Sequence, residues 1–342
     1  MSIRTSLGSW FYPPEIQLGE QFNYGHREVL LAANELDPTA LIRARIPHGW
    51  GQGISEEESP YIRDKLFRQI PILSWSTRGS QDLRGKGHSK VHTVGSPWAH
   101  LLKAAGVNPR NHYAQTLKHT KQKTNSLLFF PSHSIPGGAA FHTTEVEKLA
   151  EIANVKQVTI CLFWLDYINP LIRKYYEHFG YQITCAGYKG SAGFDTPWAP
   201  IGGRVLFLPT LLDLFESHDV VAFDLVSTSF WYAVSMNKNI LLSGKSSEVN
   251  WYGQKLLKKV SHLNSRILEL TNSDLIDFPI MEVIKPAREL LETSLHELGW
   301  DETSKLKARL IKSSLLKTGN FDEEIAQPVI SYLNQRNSTR NK

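Results

Sequence analysis

The sequence predicts an α/β protein with two domains, each built around a parallel sheet, followed by a helical C-terminal segment. Apolar runs typical of buried strands alternate with amphipathic helical patterns along most of the chain. Runs such as residues 158–164 are apolar on both faces, as strands of a covered parallel sheet are. The length of 342 residues also fits two domains better than one.

The N-terminal domain is predicted to span residues 1–105. Strand patterns cover residues 39–46, 70–75 and 91–94, and helical patterns cover residues 28–36, 59–68 and 98–105. The strand patterns stop at clusters of Gly, Pro, Ser and Thr, which end regular structure. Residues 106–125 are polar and basic with few apolar side chains to bury, so they are predicted to form the linker.

The C-terminal domain is predicted to span residues 126–245. Its strands are expected at residues 126–130, 157–164, 181–185, 205–208, 220–223 and 239–242, and its helices at 143–152, 170–179, 210–217 and 228–236. Residues 246–342 are predicted to form a helical extension, with amphipathic patterns at 255–267, 286–298 and 302–316. The polar end, residues 334–342, is expected to fray.

Composition narrows the class of protein without deciding its ligand. The net charge of +5 comes without a long basic block, so it fits an anionic ligand or an anionic membrane face as well as nucleic acid. No nucleic-acid recognition motif or dense Lys/Arg stripe supports the last partner. Cys161 and Cys185 lie in apolar stretches, which predicts core thiols in a reducing compartment. Residues 1–14 lack a signal pattern and no apolar run reaches eighteen residues, so a cytoplasmic location is expected.

Polar side chains follow two of the expected strands, about ninety residues apart in the chain. His133 and Ser134 come after the strand at 126–130, in a loop that continues into Pro136-Gly137-Gly138. Ser227, Thr228 and Ser229 come after the strand at 220–223. Open α/β sheets bind ligands at the carboxyl ends of their strands. The two segments are therefore predicted to form a nucleotide-sugar site.

Each of these groups has a functional and a structural interpretation. Ser227, Thr228 and Ser229 stand where a helix begins, and free N–H groups and the helix dipole favour a phosphate there. An N-cap role for Ser227 or Thr228 is the structural alternative. His133 could hydrogen-bond a phosphate or ribose oxygen, since glycines after it allow close approach of a ligand. Its alternative is an ordinary loop histidine, one of thirteen in the chain.

Two further residues are candidates for the chemistry itself. His48, in the Gly-rich segment 47–53 at the end of an expected strand, suits a general base because its pKa is near neutral. The competing bases are the carboxylates of Glu56, Glu57 and Glu58. Arg204 could pair with a donor carboxylate or phosphate through its planar guanidinium, or it could be a surface arginine.

The order of these motifs resembles a family of enzymes. Val94-Gly95-Ser96-Pro97, a polar linker, a strand ending in Pro-Ser-His-Ser, and Asp224 followed by Ser227-Thr228-Ser229 resemble bacterial surface and capsular polysaccharide glycosyltransferases of the GT-B fold. The likeness is to sialyltransferase-like enzymes, which use CMP-sugars, and to teichoic acid glycerophosphotransferases. It implies two Rossmann-like domains facing across a cleft, the first on the acceptor side and the second binding the nucleotide sugar.

The resemblance also implies residue roles. His133 would bind the cytidine nucleotide, with Ser134 where the family has proline, and the Ser/Thr motif would bind its phosphate. The segment around His48 is similar to a Trp-His-Gly motif whose histidine is the proposed base, with Pro47 in the place of tryptophan. Asp166 and Asp224 are expected to cap helices, or otherwise to orient a ribose.

The predicted activity is transfer of a sugar from a nucleotide donor to a polysaccharide or glycolipid acceptor, by an inverting route. A CMP-activated nonulosonic acid or Kdo-type sugar is the favoured donor. CDP-glycerol or UDP-sugar transfer and a sugar-nucleotide epimerase of the same fold are the alternatives. The sequence has no Asp-x-Asp motif and no metal-ligand spacing, so no metal or cofactor is expected. The basic amphipathic stretch 251–266 suits either packing or peripheral contact with the inner membrane. The donor sugar, acceptor, linkage and oligomeric state stay open.

Overall fold

The computed structural model describes residues 24–47, 49, 71–111, 125–131, 143–187, 205–224, 227–242, 288–303, 309–312, 315–316 and 327–340. Its strands are β1 (Leu41–Ile42), β2 (Ile72–Ser74), β3 (Val91–Thr93), β4 (Ser126–Phe130), β5 (Gln157–Cys161), β6 (Gln182–Thr184), β7 (Val220–Phe223), β8 (Asn239–Leu242) and β9 (Leu315–Leu316). Its α-helices are α1 (His26–Ala33), α2 (Thr77–Gly85), α3 (Pro97–Ala104), α4 (Thr143–Ala153), α5 (Trp164–Ile168), α6 (Pro170–His178), α7 (Phe207–Ser217), α8 (Thr228–Ser235), α9 (Arg288–Glu297) and α10 (Gln327–Arg340). The 3₁₀ helix Trp300–Glu302 follows α9.

A five-stranded parallel sheet forms the larger half of the molecule. Its strand order is β6-β5-β4-β7-β8, and every neighbouring pair is parallel. The chain leaves the central strand β4 toward β5 on one side and returns to β7 on the other, so the strand order reverses between β4 and β7. Such a reversal is the usual position of a ligand site in an open α/β sheet. The predicted α/β class with parallel sheets is confirmed.

Alternating side chains of the central strands bury both faces of this sheet. Leu127 and Phe129 pack with residues of α4 and α6, whereas Leu128 packs with residues of α7 and α8. Each of these three side chains is fully buried. An apolar residue at every strand position, combined with helices on both faces, is what a parallel sheet requires.

The smaller sheet lies in the first part of the chain. Strands β2 and β3 are parallel, and Arg45 forms a parallel bridge to Ile72, so three segments run in one direction. Of the strand predicted at 39–46, the structure forms only β1 and the single bridge at Arg45. β1 pairs in antiparallel fashion with β9, where Leu41 lies opposite Leu316. The described parts of both sheets are consistent with two Rossmann-like units, while the exact division into domains stays a prediction.

The C-terminal segment packs on both halves of the molecule. Leu290, Leu291 and Leu295 of α9 are buried in the same core cluster as α3 and α8. The hydroxyl of Ser294 donates to the carbonyl of Trp231 at 2.8 Å. The carbonyl of Leu298 accepts a hydrogen bond from the N–H of Ser96 at 2.8 Å.

Two predicted elements differ in the structure. Residues 205–208 were expected to form a strand, but α7 begins at Phe207. The short apolar run allowed either structure, and Pro209 is tolerated in the first helical turn, where its missing N–H has no intrahelical partner. The helix expected at 302–316 is correct in part: residues 309–312 are helical, but residues 315–316 form β9.

The end of the described chain also differs from its prediction. Residues 334–340 belong to α10 instead of fraying. The guanidinium of Arg336 pairs with Asp213 and Glu216 of α7, and Arg340 donates to the carbonyl of Ala105. These contacts to other elements hold a polar helix that has little apolar surface of its own.

Candidate functional site

The loops after β4 and β7 begin side by side at the carboxyl edge of the larger sheet. Phe130 at the end of β4 is in register with Phe223 at the end of β7, and the two rings stack with centroids 5.1 Å apart. The N–H of Asp224 points to the carbonyl of Phe130 at 3.4 Å. The two polar segments singled out in the sequence therefore start from neighbouring strands.

Helix α8 begins at this edge with an unusual N-terminus. Ser227 occupies the N-cap position with an extended backbone, at φ −118° and ψ −179°, and its carbonyl accepts from the N–H of Phe230 at 3.2 Å. Its hydroxyl makes no capping hydrogen bond, and the residue is exposed. Thr228 and Ser229 follow in the first turn, where N–H groups lack intrahelical acceptors. The capping role that was the alternative interpretation of Ser227 is thus absent.

Two other serine N-caps in the same chain show what capping looks like here. The Oγ of Ser76 accepts from the N–H of Gly79 at 3.1 Å, and the Oγ of Ser96 accepts from the N–H of Ala99 at 3.1 Å. Both serines are buried, whereas Ser227 is not. A serine at a strand-to-helix junction is therefore used in two different ways within this chain.

Two carboxylates do not have the positions that capping requires. Asp224 ends β7 and is 3 % exposed, but the N-cap of α8 is Ser227. Asp166 lies inside α5, whose N-cap is Phe163, and is 5 % exposed. The N-cap role predicted for each residue is therefore wrong. Asp224 is a buried carboxylate at the carboxyl edge of β7.

Core contacts hold α8 in place below this edge. The indole N–H of Trp98 donates to the hydroxyl of Ser235 at 2.9 Å, and the Trp98 ring stacks on Tyr232 with centroids 4.5 Å apart. Ser294 of α9 holds the carbonyl of Trp231 from the other side. These positioning residues could not be identified from the sequence, because no local pattern links α3, α8 and α9.

The cysteines at the same edge are unsuited to nucleophilic chemistry. Cys161 ends β5, Cys185 follows β6, and both are buried free thiols, as the sequence predicts. Burial raises the pKa of the Cys161 thiol, with Cys185 adding to the effect, and burial raises the pKa of Cys185 to about 11. The thiolate is the reactive form, so both residues act as core side chains.

Several predicted site residues fall outside the described part of the chain. These are His48, His133, Ser134 and Arg204, together with the alternative bases Glu56, Glu57 and Glu58. Their roles stay predictions. Among the residues that the structure does describe, no group of three His, Cys, Asp or Glu side chains could hold a metal ion. Within the same ranges, no helix has the length and apolarity needed to cross a membrane.

Comparison with known proteins finds structural likeness alone. No family model matches the chain, and no curated protein matches its sequence. Solved structures that resemble it include the wall teichoic acid polymerase TagF, at 9 % identity and a TM-score of 0.35 over 89 % of this chain and 68 % of that one. A UDP-GlcNAc 2-epimerase from Neisseria meningitidis, bound to UDP-GlcNAc, matches at 10 % identity and a TM-score of 0.34 over 71 % of this chain.

A third solved structure, HepE of Anabaena in complex with UDP, matches at 11 % identity and a TM-score of 0.35 over 79 % of this chain and 72 % of that one. The chain spans 60 % of the length of the epimerase and 59 % of one TagF structure. At such scores and identities, the likeness carries no inference about activity.

Proposed function

We propose that the protein is a metal-independent, inverting glycosyltransferase that moves a sugar from a nucleotide donor to a polysaccharide or glycolipid acceptor. The favoured donor is a CMP-activated nonulosonic acid or Kdo-type sugar. CDP-glycerol and UDP-sugars are the alternative donors. The nucleotide would lie at the carboxyl edge of β4 and β7, where the strand order of the larger sheet reverses.

The observation that carries this proposal is the uncapped, exposed Ser227 at the start of α8. A hydroxyl and the first-turn N–H groups at a helix N-terminus are suited to a phosphate, because the helix dipole adds positive potential there. The buried Asp224 lies on the same edge and could accept from a ribose hydroxyl. Phosphate donors and a ribose acceptor at one sheet edge are what a nucleotide needs.

The remaining roles in the proposal come from the sequence. His133 and Ser134, in the loop that continues from β4, would contact the nucleotide, and Arg204 would pair with a donor carboxylate or phosphate. His48 would take the proton from the acceptor hydroxyl as it attacks the anomeric carbon. The nucleotide would leave with its phosphate charge stabilised by the α8 N-terminus. In this proposal nucleic acid is not a partner, and the enzyme would work in the cytoplasm, where peripheral contact with the inner membrane would bring it to a lipid-linked acceptor.

Thermal unfolding in the presence of CMP, CDP, UDP, GDP and dTDP tests the donor site. A ligand that binds only the folded state raises stability by RT ln(1 + [L]/Kd), which is about 2.7 kcal/mol at a hundred times Kd. We expect CMP to raise the Tm and Ser227→Ala to abolish the shift. Ser76→Ala is the matched control, since it removes a capping hydroxyl from a different junction and should keep the shift.

The outcomes separate the alternatives. A shift with CDP or UDP alone would replace the CMP donor and keep the site. A shift that survives Ser227→Ala unchanged would remove the α8 N-terminus from the site, and no shift with any nucleotide would refute the transferase. Conversion of a UDP-sugar to its epimer without an acceptor would favour the epimerase.

A further inference from the structure

Tyr24 has a backbone conformation that its residue type rarely adopts. Its φ is +55°, and Gly25 after it has φ +68° and is the N-cap of α1. A left-handed backbone is uncommon in a residue with a side chain and is an outlier for a bulky one. Such conformations persist only where the surrounding structure holds them, and they concentrate at functional sites.

The other non-glycine residues with positive φ in the described ranges have an ordinary explanation. Glu35, Asn154 and Asn237 each lie within two residues of the end of a helix, α1, α4 and α8 respectively. A left-handed residue there is a common way for a helix to end, and Asn tolerates the conformation. Tyr24 stands before a helix, where this explanation does not apply. The contacts of its side chain are therefore what can hold it.

The ring of Tyr24 crosses from the first half of the molecule to the second. Its centroid lies 4.6 Å from that of Phe207, the first residue of α7, and 6.0 Å from that of His26 in α1. His26 in turn meets Trp75, which directly follows β2, with ring centroids 5.9 Å apart. We call these four residues the aromatic bridge. It is a chain of ring contacts from the carboxyl end of β2 to the start of α7.

The phenol of Tyr24 also lies near α8. Burial raises the pKa of Tyr24 to about 12, so the phenol keeps its proton at physiological pH. Burial likewise raises the pKa of Tyr232, and the proximity of Tyr24 adds to the effect, which places the two phenols near each other. Tyr232 belongs to α8 and stands five residues after Ser227. Tyr24 therefore adjoins α7 and α8 together.

These two helices border the candidate donor site. α8 has Ser227, Thr228 and Ser229 at its beginning, and α7 begins three residues after Arg204, the predicted partner of a donor carboxylate or phosphate. A ring anchored in the first half of the molecule can fix both helices relative to α1. A site that is already ordered before its ligand arrives loses less conformational entropy on binding.

We infer that Tyr24 is a positioning residue of the nucleotide site, whose ring locks α1 to the start of α7 and to α8. This inference rests on the proposed function, because it takes the N-terminus of α8 to bind a phosphate. In this role Tyr24 contacts neither the nucleotide nor the reacting atoms, and it acts through the two helices. The left-handed backbone is tolerated because it carries the ring to Phe207.

Titration calorimetry tests the inference, with CMP or with whichever of the five nucleotides raises the Tm of the wild type, at a temperature where every variant is folded. Tyr24→Asn should raise the Kd at least about tenfold, since Asn tolerates the left-handed backbone but lacks the ring. Tyr24→Phe keeps the ring and should restore the Kd to within about twofold of the wild-type value.

Leu83→Ala is the matched control for stability. Leu83 of α2 is buried in a separate cluster with Ile72 and Val91 of the smaller sheet. Its truncation should lower the Tm without raising the Kd, because this cluster contains no residue of α7 or α8. If Tyr24→Asn does not fold, Phe207→Leu decides from the other side of the contact, and it should also raise the Kd.

The outcomes distinguish this inference from the function on which it rests. If the wild type binds nucleotide and the ring variants keep its Kd, the inference is wrong and the proposed function stands. An equal rise of the Kd in Leu83→Ala would also overturn it, because any loss of stability would then weaken binding. A rise in Tyr24→Phe as large as in Tyr24→Asn would overturn the role of the ring. Absence of nucleotide binding by the wild type would refute the proposed function and this inference with it.

Discussion

Two strand-to-helix junctions of this protein begin a helix with serine and use that serine in opposite ways. Ser96 follows β3 in the smaller sheet, is fully buried, and caps α3 with its hydroxyl. Ser227 follows β7 in the larger sheet, is exposed, and caps nothing. Residue type and position in the sequence pattern are the same. The difference comes from what else packs on the junction.

The C-terminal segment packs on the first junction. Leu298 accepts from the backbone of Ser96, and Gly299 packs against both Trp75 and Gly95. Lys103 of α3 donates to the carbonyl of Thr303 at 2.8 Å. The hydroxyl of Ser96 is therefore satisfied within the fold, while the hydroxyl of Ser227 makes no capping hydrogen bond. Stability and binding should respond to mutation at opposite junctions.

The largest effect should come from removing the close packing over the first junction. Gly299 has φ +66°, and a Cβ at this position would overlap the carbonyl of Trp75. Gly299→Ala should lower the free energy of unfolding by on the order of 4 kcal/mol, since backbone cannot easily move away. Urea unfolding measures the loss.

Gly180→Ala is the control for that substitution. Gly180 also has positive φ, +78°, but nothing lies within 4 Å of the added Cβ. Gly180→Ala should lower the free energy of unfolding by only about 1 kcal/mol, the usual penalty for a residue with a side chain in the left-handed conformation. Equal losses in the two variants would show that overlap at the first junction contributes nothing.

Acid should weaken the first junction through His100 of α3. Its Nε2–H donates to the carbonyl of Val94 at 2.8 Å, and Nδ1 accepts from the amide of Asn34 at 3.1 Å. This assignment of the proton follows from the network, since a carbonyl only accepts. Burial lowers the pKa of His100 to about 4, below its unfolded value near 6.5.

The sign of the pH effect follows from that difference. As the pH falls from about 6.5 to about 4, His100 becomes protonated in the unfolded chain but stays neutral in the folded one. The free energy of unfolding therefore decreases by up to about 3 kcal/mol. His100→Gln should shrink the difference between unfolding free energies at pH 7 and pH 4.5 by most of that amount. An unchanged pH dependence in the variant would contradict it. His218, whose pKa is also lowered by burial, lies elsewhere and stays as the background in both proteins.

The two serines themselves should separate stability from binding. Ser96→Ala removes a cap and should cost about 1 kcal/mol in the free energy of unfolding. Ser227→Ala removes no hydrogen bond within the described chain and should cost less than about 0.5 kcal/mol. Chemical unfolding of both variants, without nucleotide, makes the comparison. A larger loss of unfolding free energy in Ser227→Ala would mean that the Ser227 hydroxyl makes a stabilising contact within the folded protein.

The smallest effect is expected at the ion pairs that tie the C-terminal segment to residue 110. Arg110 contacts Glu292 at 2.8 Å and Asp301 at 3.0 Å, and all three side chains are at least 40 % exposed. Exposed pairs contribute little, so Arg110→Ala should cost about 0.5 kcal/mol and less in high salt. A Tm series in rising NaCl measures this. If the stability lost in Arg110→Ala does not depend on salt, the contribution of Arg110 comes from packing and not from its charge.

The strands of the larger sheet could be predicted because burial on both faces leaves a continuous apolar run. β4, β7 and β8 have the bounds that the sequence predicts, Ser126–Phe130, Val220–Phe223 and Asn239–Leu242. The presence of β4 and β7 in one sheet, with their polar segments near each other, was also expected, and the structure makes the two strands neighbours. Whether Ser227 caps α8 or stays exposed could not be predicted, because both outcomes are compatible with the same local sequence.

Elements fixed by distant partners could not be predicted. β9 is two residues long and exists because Leu315 and Leu316 pair with β1. α10 has a polar sequence and is held by Arg336 and Arg340, which contact α7 and the end of α3. The helix Thr77–Gly85 was missed for a related reason: its residues are mostly polar, and its start depends on the cap by Ser76. Local periodicity contains none of these long-range contacts.

The pairing of β1 with β9 also determines the order of events on the ribosome. Leu41 must wait for Leu316, which is made roughly 14 to 55 s later at bacterial and eukaryotic elongation rates of about 5–20 residues per second. Over that interval the nascent chain exposes an unpaired strand edge and the bare surface around Trp75. The larger sheet, whose strands are close in sequence, can be complete before then. The pairing of β1 is therefore completed last, although this strand is the first to be made.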